Sequence, residues 1–218
     1  MNKNIKKAFG KGKAFIPFIT CGDPSLEVTE RIVYAMEEVG ADLIELGIPF
    51  SDPTAEGPVI QAANVRALSG GVTTDKIFDM VRRIRQKTSI PMVFMTYANV
   101  VYSYGTERFA KAAAEIGMDG LILPDVPFEE KEEFAIPFKE HGLDLISLIA
   151  TTSHERIAMI AKEAEGFGIS EPKQAEKMAA QSDGVIVGSA IVKLCEKYGA
   201  DCVPNISTFV KEMKDAIR

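Results

Sequence analysis

Three stretches of this chain share one short pattern: Glu38-Val-Gly-Ala-Asp42, Glu115-Ile-Gly-Met-Asp119 and Glu140-His-Gly-Leu-Asp144. Each closes a segment with helical spacing and opens a short apolar run. A glycine just past a helix end supplies the left-handed residue of a C-terminal cap, and a strand can begin directly behind it. A helix-to-strand joint that recurs means that the strand–helix unit itself recurs, and this restricts the fold more than any other feature. The apolar runs fall at 14–20, 42–48, 91–97, 120–125, 144–150 and 184–190, and helical spacing holds over 26–39, 74–87, 106–116, 129–140, 154–164 and 172–180. Strands that are apolar throughout and alternate with helices predict an α/β fold with a parallel sheet covered by helices. A closed barrel and an open doubly wound sheet both meet that description. No Gly-x-Gly-x-x-Gly follows the first run, and Gly10-Lys-Gly12 precedes it. A dinucleotide-binding sheet is therefore disfavoured, and the barrel is the expectation.

The chain has 218 residues, which suits one barrel domain over 1–218. Its hydrophobic fraction of 46% is enough for a sizeable core. A net charge of −6 argues against a nucleic-acid surface, which needs clustered Lys and Arg. The local exception carries lysines at 3, 6, 7, 11 and 13. It lacks the apolar centre of a signal peptide and reads as an exposed amphipathic lead-in helix over about 2–10. No apolar run has the length to cross a bilayer. Cys21, Cys195 and Cys202 have no metal-site spacing and leave one thiol odd, which fits a reducing cytoplasm. His141 and His154 sit in polar, loop-like contexts and read as surface residues.

Glu45 is the residue that asks for a chemical explanation. It stands inside the apolar run 42–48, and burying an ionised acid costs several kcal/mol unless the charge is paired or used. Strand alternation puts Leu43, Glu45 and Gly47 on one face and Ile44, Leu46 and Ile48 on the other. With the bulky face against helices, Glu45 points into the barrel near the strand's C-terminal end, where barrel active sites are built. A buried ion pair with a Lys or Arg is an equal alternative on spacing alone. The loop that follows carries Asp52 and Glu56 and is stiffened by Pro49, Pro53 and Pro58. Two carboxylates able to approach one substrate suit general acid–base work. Gly166-Phe-Gly168-Ile-Ser-Glu-Pro172 and Gly188-Ser189-Ala190 lead into helix starts, whose free N–H groups bind phosphate without a basic side chain. Such turns at the last two strand–helix junctions match the usual phosphate site of barrels, although tight turns alone would also explain the glycines. Phe18, Tyr97 and Leu123 end their strands, either as plain core or as walls of an apolar pocket.

Phe18-Ile-Thr-Cys-Gly-Asp-Pro24, Glu45-Leu-Gly-Ile-Pro-Phe-Ser-Asp-Pro53, Gly57-Pro-Val-Ile-Gln61, Tyr97-Ala-Asn99, Pro124-Asp-Val-Pro127 and Asp183-Gly-Val-Ile-Val-Gly-Ser-Ala190 together resemble the tryptophan synthase alpha subunit family. They occur in that family's order along nearly the whole chain. The resemblance implies a TIM (βα)8 barrel that cleaves indole-3-glycerol phosphate to indole and glyceraldehyde 3-phosphate, a lyase step late in L-tryptophan biosynthesis. It implies an alpha2beta2 assembly with a beta subunit that holds pyridoxal phosphate, and no cofactor or metal in the alpha subunit itself. By motif, Glu45 matches the family's catalytic glutamate, and Glu56 stands where the family commonly has aspartate. Phe18, Ile60, Tyr97 and Leu123 fall at or near indole-pocket positions. Gly168, Gly188 and Ser189 match phosphate binders, and Asp52 and Pro53 lie in a loop used for beta-subunit contact. A phosphosugar aldolase of the Schiff-base type would want a lysine at a strand end, and the apolar runs contain none.

The resemblance breaks between Phe167 and Gly168. There the family has a strand, a mobile lid, a helix and another strand, and here two Gly-Phe elements have merged into one. The shortfall is about 40 residues, slightly more than a βαβ-type unit. Six apolar runs in place of eight strands agree with it. A deletion in the gene, a sequence that omits residues the protein carries, and a barrel short by nature all fit. A real deletion predicts two new sheet edges and association with another chain. It also makes a catalytically impaired or non-catalytic form that only binds the beta subunit the alternative to an active lyase.

Overall fold

The computed structural model describes residues 2–10, 12–148 and 169–218, with nothing to say of the Phe128 side chain. Its strands are β1 (Ala14–Thr20), β2 (Ile44–Gly47), β3 (Met92–Met95), β4 (Gly120–Ile122), β5 (Asp144–Ile146) and β6 (Gly184–Val187). All pair in parallel in one sheet of order β5-β4-β3-β2-β1-β6. The six apolar runs are therefore six strands, β1 over its full run and the other five shorter than theirs.

The helices are α1 (Lys3–Ala8), α2 (Leu26–Glu38), α3 (Pro58–Ser69), α4 (Thr74–Ile84), α5 (Ala98–Tyr104), α6 (Thr106–Glu115), α7 (Glu132–Glu140), α8 (Pro172–Ala179), α9 (Ser189–Tyr198) and α10 (Val203–Ala216). Helical spacing anticipates α2, α4, α6, α7 and α8, while the predicted helix over 154–164 lies outside the described residues. It misses α3, α5 and α10, and α9 is expected only as a helix start after Gly188. The starts are capped as their residues dictate: the Ser25 hydroxyl accepts from the Val28 N–H, and the Thr73 hydroxyl from the Lys76 N–H.

At the repeated joints, Gly40, Gly117 and Gly142 have φ of 104°, 83° and 76°, the conformation a side chain would resist. The aspartate that ends each repeat has a role of its own. Asp42 Oδ2 accepts from the Phe15 N–H at 2.7 Å and from Lys214 Nζ at 2.6 Å. Asp119 Oδ2 accepts from the Met92 N–H at 2.9 Å and from the Arg85 guanidinium at 3.0 Å. Each carboxylate thus ties its own strand to the start of the preceding or a neighbouring strand. Asp144 accepts from the Asn2 N–H, and Asn4 Nδ2 donates to Asp119 Oδ1 at 2.8 Å. These bonds draw α1 across the N-terminal end of the sheet, with Ile5 and Ala8 buried and Lys3, Lys6 and Lys7 in water. The lead-in helix is an end plug, amphipathic as expected but not a free appendage.

The core divides along strand parity. Ile44, Leu46, Ile48, Phe94 and Leu121 pack under the helices, where Phe94, Phe78 and Phe109 meet at ring-centroid distances of 5.3 to 6.1 Å. Ile16, Phe18, Leu43, Val93, Met95, Ile122 and Ile186 face the concave side. Glu45 shares that inward parity, paired in register with Phe18 on β1 and Val93 on β3. The sheet curls as part of a barrel, and among the described residues β5 and β6 each have one strand neighbour.

Candidate active site

At the C-terminal end of the strands a cavity of about 610 Å³ opens on the concave face. Glu45 reaches it from β2 with only 3% of the residue exposed. Glu56 reaches it from the β2–α3 loop, and Ile60 from the first turn of α3. Gly188 and Ser189, at the start of α9, form the opposite wall. Phe18 lies between, on β1, the strand that separates β2 from β6. Its ring occupies a slot made by two glycines: a Cβ on Gly47 would sit 2.6 Å from Phe18 Cζ, and one on Gly188 would sit 3.2 Å from Cδ1. The absence of those two methyl groups is what lets an aromatic ring floor the cavity.

Tyr97 does not line the cavity; it positions the residue that does. Its hydroxyl donates to Glu56 Oε2 at 2.6 Å and accepts from the Ala55 N–H at 2.9 Å. Its ring packs on Phe50 at 5.2 Å. The loop is anchored a third time where Gln61 Nε2 donates to the Glu56 carbonyl at 2.8 Å. Burial pushes the Glu56 carboxyl above the ordinary carboxylate range, the Tyr97 hydrogen bond opposes this, and the nearby Asp125 charge adds to it. Burial and the Glu56 contact in turn push the Tyr97 hydroxyl up to about 12. Asp125 is itself fixed by the Ala98 N–H at the start of α5, at 3.0 Å.

Leu123 needs correcting as a pocket residue. It follows β4 with outward parity and packs in the helix-side core; the inward neighbours are Ile122 and, on the cavity wall, Pro124. One residue of shift turns a side chain to the other face of a strand. Gly168 lies outside the described residues, while Ile169 and Ser170 directly after it line the cavity. Asp52 is exposed and Pro53 half-buried, away from the cavity lining. His141 caps α7 and pairs with Glu107 at 2.6 Å, remote from the site, and His154 lies outside the described residues. All three cysteines are buried free thiols. Among the described residues no cluster could hold a metal and no helix is long and apolar enough to cross a membrane. Lys193 of α9 lines the cavity and has no place in the sequence reading. Its signal was present: it stands four residues after Ser189, on the same helix face.

A carboxylate from the strand, a second from a held loop, an aromatic floor and a helix start thus share one cavity. The family model described as "Tryptophan synthase alpha chain" matches residues 5–167 and again 162–218. The two matches overlap at 162–167, where the merged Gly-Phe element stands. The tryptophan synthase alpha chain of Lacticaseibacillus casei is 40% identical over 252 residues, covering 98% of this chain and 95% of the relative. That of Thermoanaerobacter pseudethanolicus is 39% identical over 259 residues, covering 100% and 99%. An alignment of 259 positions against a chain of 218 leaves at least 41 positions without a counterpart here. Among solved structures, tryptophan synthase subunit alpha from Legionella pneumophila superposes with a TM-score of 0.91 at 36% identity, over 100% of this chain and 98% of that one. A chain of the tryptophan synthase complex from Pyrococcus furiosus superposes with a TM-score of 0.87 at 30% identity, over 94% and 99%. Motif order, curled parallel sheet and near-complete coverage converge: the chain belongs to the tryptophan synthase alpha chain family, on a TIM-barrel fold.

Proposed function

We propose that this chain cleaves indole-3-glycerol phosphate to indole and glyceraldehyde 3-phosphate, a lyase step of tryptophan biosynthesis carried by a single barrel domain over 1–218. The observation that carries the reading is the meeting of Glu45 and Glu56 in one cavity with the first turn of α9 on the far wall. Glu45 delivers a proton to indole C3, which makes the ring an electron sink. Glu45 also takes the proton of the hydroxyl on the adjoining glycerol carbon. The bond between that carbon and C3 then breaks, its electron pair returns to the ring, and the carbon leaves as an aldehyde. Glu56 holds the indole N–H and stabilises the positive charge that grows on the ring, where a fixed carboxylate in a water-poor site is most effective. Tyr97 keeps that carboxylate in place. Phe18 and Ile60 embrace the indole, with Pro124 on the wall in place of Leu123. Gly188 and Ser189, together with Gly168, bind the phosphate.

The solved relative from Pyrococcus furiosus is described as a tryptophan synthase a2b2 complex. We assign this chain the same kind of partner, a beta subunit in an alpha2beta2 assembly, docked through the loop that exposes Asp52 and carries Pro53. Pyridoxal phosphate belongs to that partner, this chain holds no cofactor, and the reaction takes place in the cytoplasm. A second reading has a specific observation behind it. At least 41 positions of a relative have no counterpart here; the resemblance implies that the family's lid is among them, so the chain would bind the beta subunit while turning over slowly or not at all.

One experiment separates the two. Purified chain is given indole-3-glycerol phosphate and indole release is followed, with Glu45→Gln as the control. Release well above that control is expected; release equal to it would leave only the binding form.

A further inference from the structure

Lys193 is the one lysine or arginine that lines the cavity among the described residues. It lies on α9 (Ser189–Tyr198), whose first turn forms the wall opposite the two carboxylates. Side chains on a helix lean toward its N-terminus, so a residue covers the turn before its own Cα. From position 193 that turn is Ser189 and Ala190. The Ile191 and Val192 N–H groups both donate to the Gly188 carbonyl, at 2.9 and 3.1 Å. The two N–H groups before them, of Ser189 and Ala190, have no partner within the helix, and both residues line the cavity together with Lys193. The other ionisable side chains on the cavity wall are Glu45 and Glu56, both acids. The remaining polar contributors, Ser170 and Ser189, carry no charge. No described acid forms an ion pair with Lys193.

We infer that Lys193 is a phosphate-binding residue, the cation that neutralises the substrate's dianionic phosphate at the α9 start and keeps it on the wall away from Glu45 and Glu56. This rests on the phosphosugar reading above and deepens it. In a protein of charge −6 a dianion entering a cavity with two acids meets repulsion from both. Backbone N–H groups orient a phosphate but supply only partial charge. A lysine at the rim adds a full charge on a flexible stem and can follow the phosphate as it enters. The same charge discriminates: a ligand without phosphate gains nothing from it, so Lys193 sets which end of the substrate goes to which wall.

The test is binding, which does not require the chain to turn over. Glycerol 3-phosphate and indole are titrated separately by calorimetry into the full chain and into Lys193→Gln and Lys193→Arg. The expected result is that glycerol 3-phosphate affinity falls about tenfold in Lys193→Gln, is largely kept in Lys193→Arg, and loses its salt dependence in the former. Indole affinity stays unchanged in both. Equal glycerol 3-phosphate affinity in Lys193→Gln and the parent would overturn the assignment while leaving the phosphate reading intact. A parallel loss of indole affinity would also overturn it, as general damage to the cavity. A parent chain that binds indole but no glycerol 3-phosphate would sink the phosphate reading itself, and the role of Lys193 with it.

Discussion

Glu56 is where chemistry and stability pull against each other. Its folded-state pKa is raised, chiefly by burial, so the folded protein holds that proton more tightly than the unfolded chain does. Linkage then gives the sign: the ionised form opposes folding at neutral pH, and stability is regained as pH falls through the raised value. Glu56→Gln is therefore expected to melt at a higher temperature than the parent at neutral pH, with the gap closing in acid. The same variant should lose activity by on the order of a hundredfold, because an amide cannot answer a growing positive charge. Melting curves against pH check the first part; a neutral-pH melting point below the parent's would contradict it. The sequence made Glu45 and Glu56 legible because an acid in an apolar run and an acid in a proline-stiffened loop are both costly placements. It did not reveal that Tyr97 holds Glu56, since a hydroxyl–carboxylate contact across 41 positions has no local signature. It misplaced Leu123 because the residues around it are all apolar, Leu121 through Leu123, so composition alone gave no hint of which faced inward.

The elements were more readable than the side chains that join them. A repeated Gly past each helix end fixes where helix stops and strand starts, and the positive φ at Gly40, Gly117 and Gly142 is the physical reason. The aspartate two residues later was visible as part of the repeat, yet its partners lie on other strands. Asp119 is the clearest of the three: 2% exposed, it meets the Met92 N–H, Asn4 and Arg85. Removing it strands a mostly buried guanidinium and an unpaired strand N–H. Asp119→Ala should cost about 3 kcal/mol of stability, the range seen when one partner of a buried pair is lost. Denaturant unfolding measures it, and a loss below about 1 kcal/mol would mean that water replaces these bonds. Helix α3 escaped notice because the prolines and polar residues of the loop before it mask the helical period, and α5 because only Thr96 and Tyr97 separate it from β3, so it is a short continuation of an apolar run.

For the molecule as a whole, the barrel is recognisable from six strands because every strand keeps its parallel neighbour and register. Among the described residues β5 and β6 do not pair with each other, and the sequence marks the stretch between them by a merged motif rather than by a missing period. Inserting the strand–helix–strand unit of a full-length relative between Phe167 and Gly168 is expected to raise thermal midpoint and indole release together. A rise in neither would mean that the short form is complete in itself. One arrangement has a further bearing on how such a chain can vary. The aspartate clamps and the α1 plug hold the N-terminal ends of the strands, while Glu45, the Tyr97-held loop and the α9 start occupy the opposite ends. Changes to the loops therefore leave the clamps untouched. Libraries confined to the loop rim should yield a high proportion of folded variants, so altered substrate preference is open to selection long before the scaffold runs out of tolerance.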